Sequence, residues 1–366
     1  MNSLLELKTL GQRIWLDNLS RTLLGEGALK RLIDEDGLAG VTSNPTIFYK
    51  AISESPYYRD DLVRVLNDGG LTPEQRYEAL AIPDIQAACD LLRPVFEASR
   101  GEDGYVSLEV SPALAHDAPG TVAAARRLRA AVKRDNLLIK VPATPAGVTA
   151  IAGLIAEGCS VNVTLMFSLE HVASVADAYI RGLSGLAASG GDVGRVKSVA
   201  SIFLSRVDTL VDRKLEAAGG EALACRGRSG VALAKLAYQD YRRIFTGARF
   251  TELRARGARP QYLLWASTGA KNPAYSDVLY VEPLIGPETI NTLPDATLAA
   301  FRDHGRAAAT LEHGIDEARG QFEFLRGTGI DMRQVGEELQ AEGVRLFAQS
   351  FDQLLALMAA PVKATA

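Results

Sequence analysis

The chain has 366 residues, of which 47% are hydrophobic and 23% are charged, and its formal net charge is −4. This composition is typical of a soluble globular protein that buries a sizeable core, and it suits either one large barrel domain or two medium domains. Because the net charge is small and acidic, we expect no nucleic-acid partner and no anionic membrane surface.

Eight short segments, most of them β-branched and nearly wholly apolar, are predicted to form strands. In chain order they are residues 13–19, 38–43, 105–111, 137–142, 160–167, 196–204, 261–267 and 278–283. Near-continuous apolar runs of this kind are typical of parallel strands that are covered on both faces.

Stretches with helical periodicity lie between the predicted strands. Thr72 and Pro73 form a cap and a first helical position, with Gln75 three residues after the cap. We expect this helix to end at Pro83 and a second helix to start at Asp84. Further helices are predicted for residues 118–134, from residue 145, and for residues 169–188, 207–218 and 230–247. Alternating strands and helices indicate parallel β/α units with right-handed crossovers.

Eight such units predict an α/β fold, a single-domain (β/α)8 TIM barrel over about residues 11–286 with a helical extension over about residues 287–360. An open doubly wound sheet would need a glycine-rich turn after the first strand, and residues 16–20 (LDNLS) supply none. The pattern of residues 329–359 predicts one or two long amphipathic helices on the barrel exterior. The tail 361–366 is predicted to be frayed.

Polar side chains interrupt five consecutive predicted strands or follow their carboxyl ends. They are Asp17, Asn44, Glu109, Lys140, and the pair Asn162 and Thr164, which is predicted to share one face with Met166. Reactive groups of such barrels lie at the carboxyl ends of the strands or in their interiors. We therefore expect these side chains to lie close together.

Lys140 stands in an otherwise apolar strand, where burial disfavours an ammonium and favours the neutral amine that attacks carbonyl groups. A lysine that reaches solvent at the strand end is the alternative. Because side chains alternate between the two faces of a strand, Glu109 is predicted to point inward, toward Lys140 on the next strand. A purely structural ion pair between the two residues is the alternative. An amine, two carboxylates and neutral hydrogen-bond donors are the groups that a Schiff-base aldol enzyme requires.

Two loops after later strands offer phosphate contacts. Arg206 follows the sixth predicted strand, and the small residues from Ser267 to Ala270, with Lys271 after them, follow the seventh. Backbone N–H groups can approach an anion closely in such a loop, and barrels often hold phosphate near their last strands.

The three cysteines and four histidines show no metal-ligand spacing, so we expect reduced thiols, no metal and no other cofactor. Residues 1–8 lack the apolar run of a signal peptide, and no run of about 18 apolar residues occurs. We therefore expect a cytoplasmic protein.

Three segments resemble motifs of the transaldolase family. They are GVTSNPTIF at residues 40–48, LIKVPATPAG at residues 138–147 and NVTLMFS at residues 162–168, and NTLPD at residues 291–295 is also similar. The resemblance covers about residues 11–276. It implies that Lys140 forms the Schiff base, that Glu109 works with a water as general acid and base, and that Asp17 handles the proton of carbon–carbon cleavage.

The same resemblance implies that Asn44, Asn162 and Thr164 orient the donor sugar and the water, and that Ser201 and Arg206 meet the acceptor or its phosphate. The best-known branch of the family has an arginine after the seventh strand, where this chain has Lys271. A lysine presents a point charge in place of a bidentate fork.

The implied reaction moves a dihydroxyacetone unit between sugar phosphates in the non-oxidative pentose phosphate pathway. The main alternative is a class I aldolase similar to fructose-6-phosphate aldolase, which releases free dihydroxyacetone; such relatives are shorter and carry a tyrosine as the acid/base. A metal-dependent barrel enzyme is less favoured, because the histidines that could bind a metal are scattered. A non-catalytic barrel that binds a small molecule is also less favoured, because it has no use for a buried amine. A monomer and a homodimer both remain open.

Overall fold

The structure is a computed structural model that describes residues 2–359, so the tail 361–366 lies outside the described residues. Eight parallel strands close into a barrel in sequence order, with the last strand paired to the first. The strands are β1 Gln12–Leu16, β2 Gly40–Val41, β3 Tyr105–Glu109, β4 Leu137–Pro142, β5 Val161–Met166, β6 Ser198–Phe203, β7 Tyr262–Ala266 and β8 Thr289–Leu293. The predicted (β/α)8 barrel is confirmed.

Fifteen α-helices are found within the described residues, and most of them surround the barrel. They are α1 Ser3–Thr9, α2 Arg21–Gly25, α3 Ala28–Asp36, α4 Pro45–Glu54, α5 Arg59–Asn67, α6 Pro73–Ala98, α7 Ala118–Val132, α8 Pro145–Ala156, α9 Leu169–Ala188, α10 Leu204–Ala218, α11 Ser229–Thr246, α12 Ala248–Ala255, α13 Asp295–His304, α14 Ile315–Gly327 and α15 Met332–Ala359. No helix among residues 2–359 combines the length and the apolar character needed to cross a lipid bilayer.

The predicted eighth strand is wrong. Residues 278–283 form turns that lead into the 3-10 helix Glu282–Leu284, and the eighth strand is Thr289–Leu293, which extends the barrel beyond residue 286. The true strand escapes a search for apolar runs because polar residues occupy it. Asn291 is fully buried, and its Nδ2 donates a hydrogen bond of 2.9 Å to the carbonyl oxygen of Tyr280.

The predicted helix break at Pro83 is also wrong. Helix α6 begins after the Thr72 cap, as expected, and continues through both Pro83 and Pro94 to Ala98. A proline inside a helix removes one hydrogen bond and opposes helix continuation. Here the helix buries Leu80, Ile85 and other apolar residues on both sides of Pro83, so tertiary packing outweighs the local preference.

The C-terminal segment does not pack only on the barrel exterior, contrary to the prediction. Helix α15 is a single helix that contacts α4, α6, α10 and β5. Helix α10 begins directly after β6, and three residues separate the end of β2 from the start of α4, so α15 lies across the carboxyl ends of the strands. The last long helix therefore covers the end of the barrel where reactive groups are expected.

Candidate active site

A cavity of about 280 Å³ lies at the carboxyl end of the barrel. Seven of the ten predicted site residues line it, namely Asp17, Asn44, Lys140, Ser201, Arg206, Ser267 and Lys271. Glu109, Asn162 and Thr164 occupy β3 and β5, the strands on either side of the strand that carries Lys140. The structure therefore brings together the groups that the sequence placed on separate strands.

A larger cavity of about 540 Å³ lies at the opposite end of the barrel, beside Tyr105, Leu137 and Ser160. These residues stand at or just before the amino ends of β3, β4 and β5. Because catalytic groups of such barrels lie at the carboxyl ends, we assign the active site to the smaller cavity.

Lys140 and Glu109 form a buried pair on adjacent strands. The Lys140 Nζ atom lies 3.5 Å from Glu109 Oε2, and the two side chains are only 5% and 7% exposed. The Lys140 Nζ atom also donates a hydrogen bond of 3.3 Å to the carbonyl oxygen of Ser43. Burial raises the pKa of Glu109 to about 7, while the nearby Lys140 charge opposes that rise. A lysine that reaches solvent is incompatible with this burial.

Asp17 follows β1 and is held by the hydroxyl of Thr42, which in turn contacts the hydroxyl of Thr292; neither threonine was among the predicted site residues. Its Oδ1 accepts a hydrogen bond of 2.7 Å from Thr42 Oγ1, which lies 2.8 Å from Thr292 Oγ1 on β8. Burial raises the pKa of Asp17, and Lys140 and the Thr42 hydroxyl oppose that rise. Thr42 lies in the motif at residues 40–48 and Thr292 in the similar segment at residues 291–295, but neither was assigned a role, and the strand that carries Thr292 was not predicted.

A chain of hydrogen bonds runs across the barrel interior beside Lys140. Asn162 Nδ2 donates to Ser107 Oγ at 3.0 Å, and Ser201 Oγ donates to Asn162 Oδ1 at 2.7 Å. Asn162 pairs with Lys140 in the register of β4 and β5. Because both ends of the Asn162 amide are engaged, the orientation of Ser201 at the cavity wall is fixed.

Strand β5 contains a bulge directly after Thr164. Leu165 adopts a left-handed conformation with φ of 58°, and the register to β6 shifts between Val163 and Met166. The extra residue returns Met166 to the face of Val163, so its predicted position beside Asn162 and Thr164 is wrong. Thr164 Oγ1 is fully buried and has no hydrogen-bond partner among residues 2–359.

Asn44 caps the amino end of α4. Its Oδ1 accepts a hydrogen bond of 3.0 Å from the Ile47 amide, and Pro45 occupies the first helical position. The cap fixes the side chain at the cavity wall. Since Oδ1 is engaged in the cap, the Nδ2 group is the part that can donate to a substrate oxygen.

Arg206 lies in the first turn of α10 between two aromatic rings. Its guanidinium carbon is 5.8 Å from the centroid of Phe203 and 6.0 Å from the centroid of Phe347, which belongs to α15. Burial lowers the pKa of Arg206, and its Nη1 has no hydrogen-bond partner within the described part of the chain. A half-buried guanidinium with free donors is suited to an anionic substrate group. Neither aromatic residue was predicted, and nothing in the local sequence around Phe347 pointed to the site.

The loop after β7 completes the cavity. Ser267 has φ of 54°, and its hydroxyl lies 2.8 Å from that of Ser205. Gly269 and Lys271 also line the cavity, and Lys271 is exposed at its rim. This position allows the Lys271 ammonium to contact a charged group that extends toward solvent.

Side chains of the types that bind metals are dispersed. Between residues 2 and 359, no three His, Cys, Asp or Glu side chains lie close enough together to hold a metal ion. Cys89, Cys159 and Cys225 are free thiols. Independence from metal stays a prediction.

Comparison with known proteins identifies the family of the chain. The family Transaldolase/Fructose-6-phosphate aldolase matches residues 14–358 of the chain. A transaldolase of Thiobacillus denitrificans is 57% identical over 97% of this chain and 99% of its own length. A transaldolase of Neisseria gonorrhoeae is 48% identical over 97% and 99% of the two chains, and a protein named transaldolase 2 of a Nostoc species is 45% identical over 99% and 98%. The predicted resemblance is confirmed, and the chain belongs to the transaldolase/fructose-6-phosphate aldolase family of enzymes.

Proposed function

We propose that Lys140 carries the covalent step of the transaldolase reaction in this protein. That reaction reversibly transfers a dihydroxyacetone unit from sedoheptulose 7-phosphate to glyceraldehyde 3-phosphate, which gives erythrose 4-phosphate and fructose 6-phosphate. The observation that carries the proposal is the buried amine of Lys140 at the cavity, 3.5 Å from a carboxyl group whose pKa is about 7. A non-catalytic binding barrel would have no use for this pair.

The first step is formation of an imine. The neutral amine of Lys140 attacks the C2 carbonyl of the ketose, and the carbinolamine then loses its hydroxyl as water. Glu109 can accept the proton of the amine and return a proton to the departing hydroxyl. A pKa close to the working pH suits a group that must do both in one cycle.

The second step breaks the bond between C3 and C4. Asp17 removes the proton of the C4 hydroxyl, the aldehyde leaves, and the electron pair of the broken bond moves into the iminium to form an enamine. The hydrogen bond from Thr42 holds the Asp17 carboxylate in one orientation for this transfer. In the reverse sense, the enamine attacks the acceptor aldehyde and Asp17 returns the proton to the new alkoxide.

The neutral side chains orient the sugar and the water. Asn44 and Ser201 line the cavity and can contact the sugar hydroxyls, while Asn162 fixes Ser201. The buried hydroxyl of Thr164 can hold, together with Glu109, the water that forms and hydrolyses the imine.

The substrate phosphate binds at the part of the cavity that is formed by the segments after β6 and β7. Arg206, the Ser267 loop and Lys271 together supply two positive charges and small residues that a phosphate can approach. Arg206 provides the fixed, partly desolvated contact, whereas Lys271 provides a screened charge at the rim.

We also propose that the enzyme works in the cytoplasm, as a monomer or a homodimer. The three cysteines are free thiols, as is usual in a reducing compartment.

Reduction with borohydride tests the covalent assignment. When the protein is reduced in the presence of fructose 6-phosphate and digested, we expect a dihydroxyacetone-derived mass on the peptide that contains Lys140. Protein reduced without sugar is the control. A modified Lys271 or Lys133, with Lys140 unmodified, would contradict the proposal.

A second measurement separates transfer from aldol cleavage. With fructose 6-phosphate alone, release of glyceraldehyde 3-phosphate should stop after about one turnover, because the enamine waits on Lys140 for an aldehyde. Addition of erythrose 4-phosphate should then restart the reaction. Steady release of free dihydroxyacetone without an acceptor, at a rate equal to transfer, would instead identify an aldolase.

A further inference from the structure

We propose that Gln340 of helix α15 is a positioning residue, which holds the bulge of β5 so that Thr164 can serve the Lys140 imine. This inference rests on the proposed function, because it assigns Thr164 to the water used in imine chemistry. Gln340 lies outside the eight strands, and its side-chain amide donates hydrogen bonds to two main-chain carbonyl oxygens next to the site.

One face of α15 is shaped to approach the barrel closely. Gly336, Gln340, Gly343 and Phe347 follow each other at spacings of four, three and four residues, which places them on one side of a helix. A Cβ atom at Gly336 would lie 2.6 Å from Ser168 Cβ, and one at Gly343 would lie 2.9 Å from a methyl carbon of Leu165. The two glycines therefore allow the helix to lie directly on the end of β5.

Gln340 forms hydrogen bonds at the carboxyl ends of both strands of the β4–β5 pair. Its Nε2 donates to the carbonyl oxygens of Ala143 at 3.0 Å and of Leu165 at 3.1 Å. Ala143 comes three residues after Lys140, and its own amide donates to the carbonyl oxygen of Thr164 at 2.8 Å. One side-chain amide thus joins the end of the strand that carries Lys140 to the end of the strand that carries Thr164.

The bulge needs such a contact to persist. A left-handed conformation is strained at a residue with a bulky side chain such as Leu165, so surrounding contacts must hold it in place. Ala143 and Leu165 are both buried, so their carbonyl oxygens have no access to bulk water in place of the amide. Without Gln340, Leu165 is free to relax, and the inward orientation of Thr164 directly before it is lost.

The substitution Gln340→Met tests this inference, since methionine has a similar length, favours helix and cannot donate. Gln334→Met is the matched control, because Gln334 lies on the exposed side of the same helix. We expect the rate of borohydride-trappable adduct formation on Lys140 to fall roughly 10- to 100-fold in Gln340→Met, as for a small misplacement of a reacting group. The KM for fructose 6-phosphate should change less than about two-fold, because the phosphate contacts are untouched.

A double variant separates positioning from general destabilisation. If Gln340 acts through Thr164, adding Gln340→Met to Thr164→Val should slow adduct formation by less than about two-fold beyond Thr164→Val alone. If the double variant slows adduct formation by the product of the two single-variant factors, the inference is overturned. A lower melting temperature of Gln340→Met with an unchanged trapping rate would also overturn it. Gln340→Leu provides the same comparison if the methionine variant does not fold. Failure of the unmodified protein to form any adduct on Lys140 would instead refute the proposed function, and this inference with it.

Discussion

The titration of Glu109 should govern the pH dependence of the enzyme between about pH 6 and pH 8. Burial raises the pKa of this carboxyl group to about 7. Below that pH, Glu109 is protonated and cannot accept the proton that Lys140 must lose during imine formation. Above it, the carboxylate can accept that proton. The value of kcat/KM should therefore rise with pH, and at one unit below the pKa it should be about one tenth of its plateau.

Glu109→Gln removes this titration and keeps the size of the side chain. General acid–base catalysis contributes about 10²- to 10⁴-fold, so kcat/KM should fall by that factor at pH 8. The residual activity should show no inflection near pH 7. Initial rates of transfer from fructose 6-phosphate to erythrose 4-phosphate, measured from pH 5.5 to pH 8.5, provide the assay.

Glu97→Gln is the control, since Glu97 is exposed on α6 and pairs with Arg93 of the same helix. That variant should keep the inflection of the unmodified protein. The sugar phosphates ionise identically in every assay, so an inflection that survives in Glu109→Gln belongs to the substrate or to another group. Its survival, or a flat profile in the unmodified protein, would refute the assignment to Glu109.

Four further outcomes are expected. Lys140→Arg should fold but lose several orders of magnitude of turnover, and initial rates close to those of the unmodified protein would contradict a covalent role. Arg206→Ala should raise the KM for glyceraldehyde 3-phosphate roughly 10- to 100-fold, through loss of charged hydrogen bonds, and leave the KM for unphosphorylated glyceraldehyde nearly unchanged. Prolonged dialysis against EDTA should leave activity intact, whereas a loss that zinc or magnesium restores would reveal a metal requirement. Gly336→Ala should lower the free energy of unfolding in urea by about 1–3 kcal/mol, because its Cβ would lie against Ser168; an unchanged midpoint would mean that α15 does not pack as tightly as described.

The contact between Lys140 and Glu109 could be predicted because its geometry follows from local rules. Lys140 and Glu109 interrupt apolar strands that are consecutive in the chain, and parallel β/α units place consecutive strands side by side. The period of two then turns both side chains to the same interior. Motif resemblance added the roles of Asp17, Asn44 and Thr164, whose individual signals in the sequence are weak.

Features that depend on distant packing could not be predicted in the same way. Strand β8 carries the buried polar residues Thr289 and Asn291, and their polarity hides it from a search for buried apolar strands. The conformation of Leu165 is set by a bulge and by the helix that lies over it. Phe347 reaches Arg206 only because α15 lies across the barrel, and no local pattern encodes where a helix packs.

The position of α15 in the chain has a consequence for biosynthesis. All eight strands leave the ribosome before Gln340 and Phe347 do, so the barrel can close while one wall of its cavity is still missing. Until α15 docks, the amine of Lys140 stands beside an opening that Phe347 later covers. A chain cut short before residue 332 would keep every strand. It would lose Phe347, which packs on Arg206, and Gln340, which bonds the end of β5. Assembly of the site therefore waits until α15 has been synthesised and has docked on the barrel.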